Sequence, residues 1–262
     1  MGYESYTGLV AREVDTGDAD RYLTILTIER GKLECYAKGI RGAKSKLASQ
    51  AGLLTFGEYH VYRKGERYVL TSAKALESFY NLRADVAKCA YAAHFLEIAR
   101  DVVLEAQAFP QAVQTLLNAL FVLCYRDLPP DFVSRVFELR TLSLAGFAPR
   151  LDACTVCGAE LPAGEAAGFD VEGDGLVCGA ASCLSEAGKV LPLSRGARRA
   201  LSYVVGCGAG AIFQFETSAA VASEMSAIIP EYMKFHMGKE YKKLGEAERY
   251  RAFENEMRKL AK

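Results

Sequence analysis

A chain of 262 residues, 51% hydrophobic and 24% charged, is globular in composition and larger than one core usually supports, so two or three modules are expected. No run approaches the ~18 apolar residues of a membrane span, and Met1-Gly2-Tyr3-Glu4 lacks the basic and apolar regions of a secretory leader, which predicts a cytosolic protein. The zero net charge is a cancellation of +2 over residues 1–80, 0 over 81–150, −6 over 151–184 and +4 over 185–262, so a polyanionic partner is not excluded.

Between Tyr6 and about Ser78, short runs separated by turn residues such as Asp15-Thr16-Gly17-Asp18 and Arg30-Gly31-Lys32 predict strands at 8–14, 22–29, 33–40, 53–63 and 67–75. Five strands in so short a stretch suggest a small closed barrel over residues 1–80. The third alternates cleanly, with Leu33, Cys35 and Ala37 on one face and Glu34, Tyr36 and Lys38 on the other, as in a half-buried strand. Its surroundings are basic: Arg30, Lys32, Lys38, Arg41, Lys44 and Lys46 stand against one acid, Glu34, between positions 30 and 46. On an oligonucleotide-binding (OB) barrel this stripe would border the face that holds single strands, Tyr36 offering a ring for base stacking and Lys38 a cation for phosphate. Arg63, Lys64 and Arg67 form a second cluster at the tip of the last hairpin. A solvated basic face carrying one exposed aromatic is the other reading of the same residues.

Beyond Tyr80 the apolar spacing becomes three or four residues, through Val86, Cys89, Ala90, Ala93, Leu96, Ile98, Val102 and Val103, which predicts a helix over 81–107. Pro110 can open a second at 111–125. Pro129-Pro130 precede a third that runs to about 144, stopped by Gly146 with Pro149 beyond, so that 81–150 makes a helical bundle. Cys154, Cys157, Cys178 and Cys183 come next, as Cys-x2-Cys and Cys-x4-Cys across a twenty-residue gap. Each close pair can put two thiolates on one knuckle, Gly158 suits the turn because it tolerates positive φ, and residues 169–177 make a hairpin returning the second pair to the first. The spacing points to one structural zinc ion within 151–184, closed to water because sulfur fills all four positions. Two disulfides, or four unrelated thiols, are the other readings. Cys35, Cys89, Cys124 and Cys207 lie singly in apolar segments and read as reduced core thiols. Helices resume at 195–205 after Ser194, a fitting N-cap, and at 218–237, with a kink expected at Pro230, and 246–260; residues 185–262 are expected to pack with the 81–150 bundle.

Little in the chain suggests catalysis. His60, His94 and His236 fall in no nucleophile arrangement, and neither a Gly-x-x-x-x-Gly-Lys-Ser/Thr loop nor a His-Glu-x-x-His signature occurs. His94 reads as a core or boundary residue and His60 as a solvated strand residue. The stretch 233–244 is again basic with interleaved aromatics, either a continuation of the electrostatic footprint or a helix end whose lysines favour the carbonyl pole.

Residues 8–13, 18–32 and 37–41 contain a strand ending in Thr27-x-x-x-Gly31 and a second ending in Lys38-Gly39-x-Arg41. Residues 142–149 lead into Cys154-Thr155-Val156-Cys157-Gly158, and 232–244 complete the series. These blocks, in this order, resemble the barrel, helix-to-zinc transition and closing helix of the RecO family of bacterial recombination mediators. The resemblance implies an α+β multidomain protein, an N-terminal OB-fold barrel and then an all-α domain with an inserted four-cysteine zinc-binding segment. It implies a non-catalytic protein of the bacterial cytoplasm, associated with the nucleoid during repair, that binds single- and double-stranded DNA and anneals complementary strands. With RecR such a protein helps load RecA onto DNA coated by single-strand-binding protein, whose C-terminal tail it also engages. By position, Lys38, Arg41, Lys44 and Lys46 would be the barrel's phosphate contacts. A protein-interaction scaffold with incidental nucleic-acid binding is the alternative function.

Overall fold

The computed structural model describes residues 2–162, 168–242 and 245. It divides into two compact units that meet in sequence between Cys124 and Tyr125.

In the first unit β1 (Gly2–Thr16), β2 (Asp20–Thr27) and β3 (Gly31–Ala37) are followed by a short helix, α1 (Lys46–Gln50), then by β4 (Phe56–Lys64) and β5 (Arg67–Glu77). The strands close into a barrel in the order β1-β2-β3-β5-β4. All neighbours are antiparallel except β3 and β5, which run parallel and pair through Cys35 with Tyr68 and Tyr36 with Val69. Alternation on β3 falls as expected: Leu33, Cys35 and Ala37 enter a core shared with Val10, Leu23, Ile25, Tyr59, Val61 and Leu70. The first strand begins earlier than residue 8, because its opening half pairs with β4 from Gly2 opposite Arg63 to Leu9 opposite Phe56. From Gly8 to Thr16 it pairs with β2, across an irregularity between Val10 and Arg12. One long strand thus closes both sides of the barrel, and the polar Tyr3-Glu4-Ser5-Tyr6 carried no apolar pattern to announce it.

The helix expected over 81–107 is shorter. Tyr80–Ala84 form a 3-10 turn, Asp85 caps α2 (Val86–Val102) by accepting the Lys88 N–H at 3.0 Å, and the helix ends before Leu104. The barrel captures the residues beyond it: the Lys32 N–H donates to the Leu104 carbonyl at 2.9 Å. A Cβ on Gly31 (φ +77°) would stand 2.1 Å from the Gln107 carbonyl oxygen. Helical periodicity therefore continues into residues whose backbone is committed to the barrel. Helix α2 lies against β1, Arg100 donating to the Ala11 carbonyl at 3.2 Å, and α3 (Pro110–Tyr125) comes next as expected.

The second unit packs α6 (Arg195–Gly206) and α7 (Ala219–Met237) against α4 (Pro130–Leu144). Between α4 and α6 lie β6 (Arg150–Cys154), β7 (Gly168–Asp170), β8 (Gly175–Val177), α5 (Ala181–Glu186) and β9 (Val190–Leu191), with the strands in the order β6-β8-β7-β9. The expected hairpin is β7–β8; the flanking strands are too short for alternation to reveal. Gly146 (φ +99°) stands just past the end of α4, and Ser194 caps α6 by accepting the Ala197 N–H at 3.1 Å. Helix α7 stays helical through Pro230 and stops at Gly238. The helix expected at 246–260 lies outside the described residues. Among those described, no helix is long and apolar enough to cross a membrane.

Candidate metal centre and nucleic-acid interface

The four spaced cysteines converge. Cys154 ends β6, Cys157 sits in the turn after it, Cys178 comes just after β8 and Cys183 lies in α5, and their sulfur atoms all lie within 4.8 Å of one another. Cys157 and Cys178 Sγ are 3.9 Å apart, and all four are free thiols. The local backbone builds this knuckle: the Gly158 N–H returns to the Cys154 carbonyl at 3.0 Å with Gly158 at φ +73°. Burial alone would raise the Cys154 thiol, but N–H groups of Cys157, Cys178 and Val156 aimed at its sulfur hold it down at about 6. The hydrogen bond that the Cys183 thiol donates to Cys178, with burial and the neighbouring sulfurs, pushes Cys183 up to about 12. Four sulfurs so close cannot all ionise without a cation among them, so the cluster could hold a metal ion. Arg198, 8% exposed, secures the segment from α6 by donating to the carbonyls of Leu151, Leu161 and Pro162 at 3.1, 2.6 and 2.8 Å.

The basic stripe is split between the two ends of β3, whose seven residues span about 23 Å. At the first end, Thr27 Oγ1 accepts the Arg30 N–H at 3.1 Å and donates to the Gly31 carbonyl at 2.8 Å, so the Thr-x-x-x-Gly motif forms the turn that carries Arg30. The guanidiniums of Arg30 and Arg63 share the Tyr68 ring, at 5.4 and 5.7 Å from its centroid, and Arg63 also meets Glu4 at 3.7 Å. Lys64 and Arg67 pair directly across the hairpin and are exposed.

At the second end Asp20 organises the Lys-Gly-x-Arg motif. Its carboxylate accepts the Gly39 N–H at 2.6 Å and the Tyr36 hydroxyl, while the Arg41 N–H donates to the Ala19 carbonyl at 2.8 Å. Those bonds, Tyr36 first, lower the Asp20 carboxyl and in turn raise the Tyr36 phenol. Asp15, lowered chiefly by its hydrogen bond from Arg21 at 2.6 Å, also meets Arg41 at 3.5 Å. Arg41 is thus partly neutralised. Lys38, Lys44 and Lys46 are exposed, Lys32 and Arg30 partly so, and none of these five, nor Lys64 or Arg67, makes an ion pair among the described residues.

His60 is exposed on β4 and His94 buried in α2. His236 reaches Asp174 at 2.8 Å and packs on Tyr232 and Phe147. Cys35 is buried in the barrel, where desolvation pushes its thiol up to about 12. Sequence reasoning did not single out Tyr22, Tyr62 or Tyr3, which lie on the same outer face as Tyr36, nor Arg198. Alternation places each tyrosine outward on its own strand, but only the register between strands brings them together, and an arginine's carbonyl partners leave no mark on local pattern.

Comparison with known proteins agrees with this architecture. Residues 1–79 match the family described as Recombination protein O N terminal, and residues 83–245 match Recombination protein O C terminal. The chain is 36% identical to the DNA repair protein RecO of Acetivibrio thermocellus over 93% of its own length and 96% of the relative's. Identity to the DNA repair protein RecO of Anaeromyxobacter dehalogenans is 32% over 89% of this chain and 91% of the relative, and to that of Moorella thermoacetica 29% over 95% and 90%.

Proposed function

Because this chain belongs to the recombination protein O family of DNA repair proteins, we propose that it is a non-catalytic recombination mediator that binds single- and double-stranded DNA and anneals complementary strands. The observation that carries this reading is the closed five-stranded barrel bearing exposed cations free of ion pairs, among the described residues, at both ends of β3. Complementary strands repel through their phosphates, so a surface that neutralises and loosely holds both raises their encounter rate. Lys38, Lys44 and Lys46 supply point charges beside the outer face, with Arg41 shared between Asp15 and solvent; Arg30, Lys32, Arg63, Lys64 and Arg67 supply the other end. Tyr36 presents its ring to bases while Asp20 holds its hydroxyl. RecR and the C-terminal tail of single-strand-binding protein are the protein partners this role requires, with RecA loaded as the outcome, in the bacterial cytoplasm at sites of repair.

Zinc is the ion we assign to Cys154, Cys157, Cys178 and Cys183. A tetrahedron of zinc–thiolate bonds of about 2.3 Å has edges of about 3.8 Å, close to the 3.9 Å between Cys157 and Cys178. With four sulfurs as ligands the ion has no open position and supplies folding free energy.

Strand annealing measured with Lys38, Arg41, Lys44 and Lys46 replaced by Ala tests the role of the barrel. The rate should fall at least about tenfold at low salt, with the loss shrinking as salt rises; an unchanged rate would remove these residues from the mechanism. Absence of any salt-sensitive DNA binding by the wild type would favour a protein-interaction scaffold instead.

A further inference from the structure

Tyr36 does not stand alone on the outside of the barrel. Its direct partners are Tyr22 on β2 and Val69 on β5; Val69 lies opposite Tyr62 on β4, and Tyr62 opposite Tyr3 on β1. Val14, on the other half of β1, lies opposite Tyr22. Direct partners in a sheet point to the same side, and the residues beside them in sequence, Leu23, Cys35, Val61 and Tyr68, are buried in the barrel. Four tyrosines and two valines therefore form one continuous outward row crossing all five strands. Tyr22 and Tyr36 rings are 5.4 Å apart and Tyr3 and Tyr62 rings 5.2 Å, tilted by 56° and 57°. Tyr3 is 79% exposed and Tyr22 48%.

Such a line of exposed rings is an unfavourable surface for a protein that leaves it bare. Its charge surroundings say what covers it. Two residues along the strands from the row stand four cations, Arg12, Lys38, Lys64 and Arg67, all exposed and without ion pairs among the described residues. Two acids stand at the same spacing, Asp20 holding Tyr36 and Gly39 and Glu34 the Thr24 hydroxyl at 3.0 Å, so the cations outnumber them four to two. Rings in line, with Arg12, Lys64 and Arg67 along one side of them and Lys38 beside Asp20 on the other, match a strand whose bases lie on the rings and whose phosphates run along the three-cation side.

We infer that the Tyr22–Tyr36–Val69–Tyr62–Tyr3 row is a stacking track for the unpaired bases of a single DNA strand, whose phosphates meet the flanking cations. The inference rests on the DNA-binding reading above and adds to it the feature that separates single strands from duplex. Stacked, paired bases hide the faces the rings need, whereas phosphates are available in both forms.

Fluorescence anisotropy with a labelled oligothymidylate and with a duplex of equal length, each across a salt series, tests it. The Tyr3→Ala, Tyr22→Ala double variant should lose at least about tenfold in affinity for the single strand. Its salt slope should match the wild type, its duplex affinity should change less than about twofold, and Tyr3→Phe, Tyr22→Phe should restore single-strand binding. Unchanged single-strand affinity overturns the track while wild-type binding leaves the wider reading standing; a wild type that binds neither form removes both. Equal losses for single strand and duplex, or a tyrosine-dependent self-association without change in DNA affinity, also overturn it. Crosslinking of wild-type protein to 5-iodouracil-substituted oligonucleotide provides an independent readout. Adducts should map to Tyr3, Tyr22, Tyr36 or Tyr62, and adducts confined to other segments overturn the proposal.

Discussion

Single residues carry most of the local logic of this chain. Cys154 sits fully buried with three N–H groups turned toward its sulfur, which favour the thiolate that coordination to a metal ion requires. In isolated modules such coordination supplies ~10–16 kcal/mol. Cys154→Ser should therefore reduce bound zinc from one equivalent to near none by elemental analysis and loosen residues 151–184 in hydrogen exchange; full metal content in the variant would contradict the site. Arg198→Ala leaves three carbonyls without their charged donor, and a loss of about 2–4 kcal/mol in urea unfolding is expected. Asp20 has a pH signature. Its folded-state carboxyl is lowered from the ordinary 3.8, so the stability it contributes is fully present above that value and is lost as pH falls through the lower folded value. Asp20→Asn should be less stable than wild type near neutrality, with the difference closing below about pH 3.8; a difference that does not close would place Asp20's role outside its charge. The cysteine spacing made the convergence of four thiols legible in sequence, because two close pairs on two knuckles leave a spacing that chance seldom makes. Asp20 and Arg198 were not legible, since a backbone N–H or carbonyl partner has no sequence identity.

Among the elements, those governed by a strong local period were readable and those shaped by a distant partner were not. Strand β3 alternates from Leu33 to Ala37, and α3 and α6 open at Pro110 and after Ser194, all as their own residues dictate. The opening half of β1 is a strand because β4 pairs with it, and α2 ends early because the Lys32 N–H takes the Leu104 carbonyl. Gly31 makes that close approach possible. Gly31→Ala would strain a positive φ and push a Cβ onto the Gln107 and Leu104 carbonyl oxygens, so a destabilisation above about 2 kcal/mol is expected in denaturant unfolding. A neutral result would mean that the 103–107 segment does not hold the barrel. The tyrosine row is the clearest case of partly legible structure: alternation turns each ring outward, and only the order β2-β3-β5-β4-β1 aligns them.

At the scale of the whole molecule, zero net charge conceals a separation of function. Acidic residues concentrate in the segment that gathers four thiols, at −6 over residues 151–184, while the barrel region carries +2 over residues 1–80 and keeps several exposed cations out of ion pairs among the described residues. Arg41 and Arg63 have carboxylate neighbours, Asp15 and Glu4, and should contribute less than Lys38, Lys44 and Lys46. Attraction for a polyanion depends on this local excess rather than on the total. The most direct test is the salt dependence of single-stranded DNA affinity for the wild type and for the triple variant Lys38→Ala, Lys44→Ala, Lys46→Ala. The wild-type log affinity should fall linearly with log salt, and the variant's slope should be shallower by about 2, at about 0.7 for each phosphate no longer neutralised. Identical slopes, or a wild-type affinity indifferent to salt, would contradict the account.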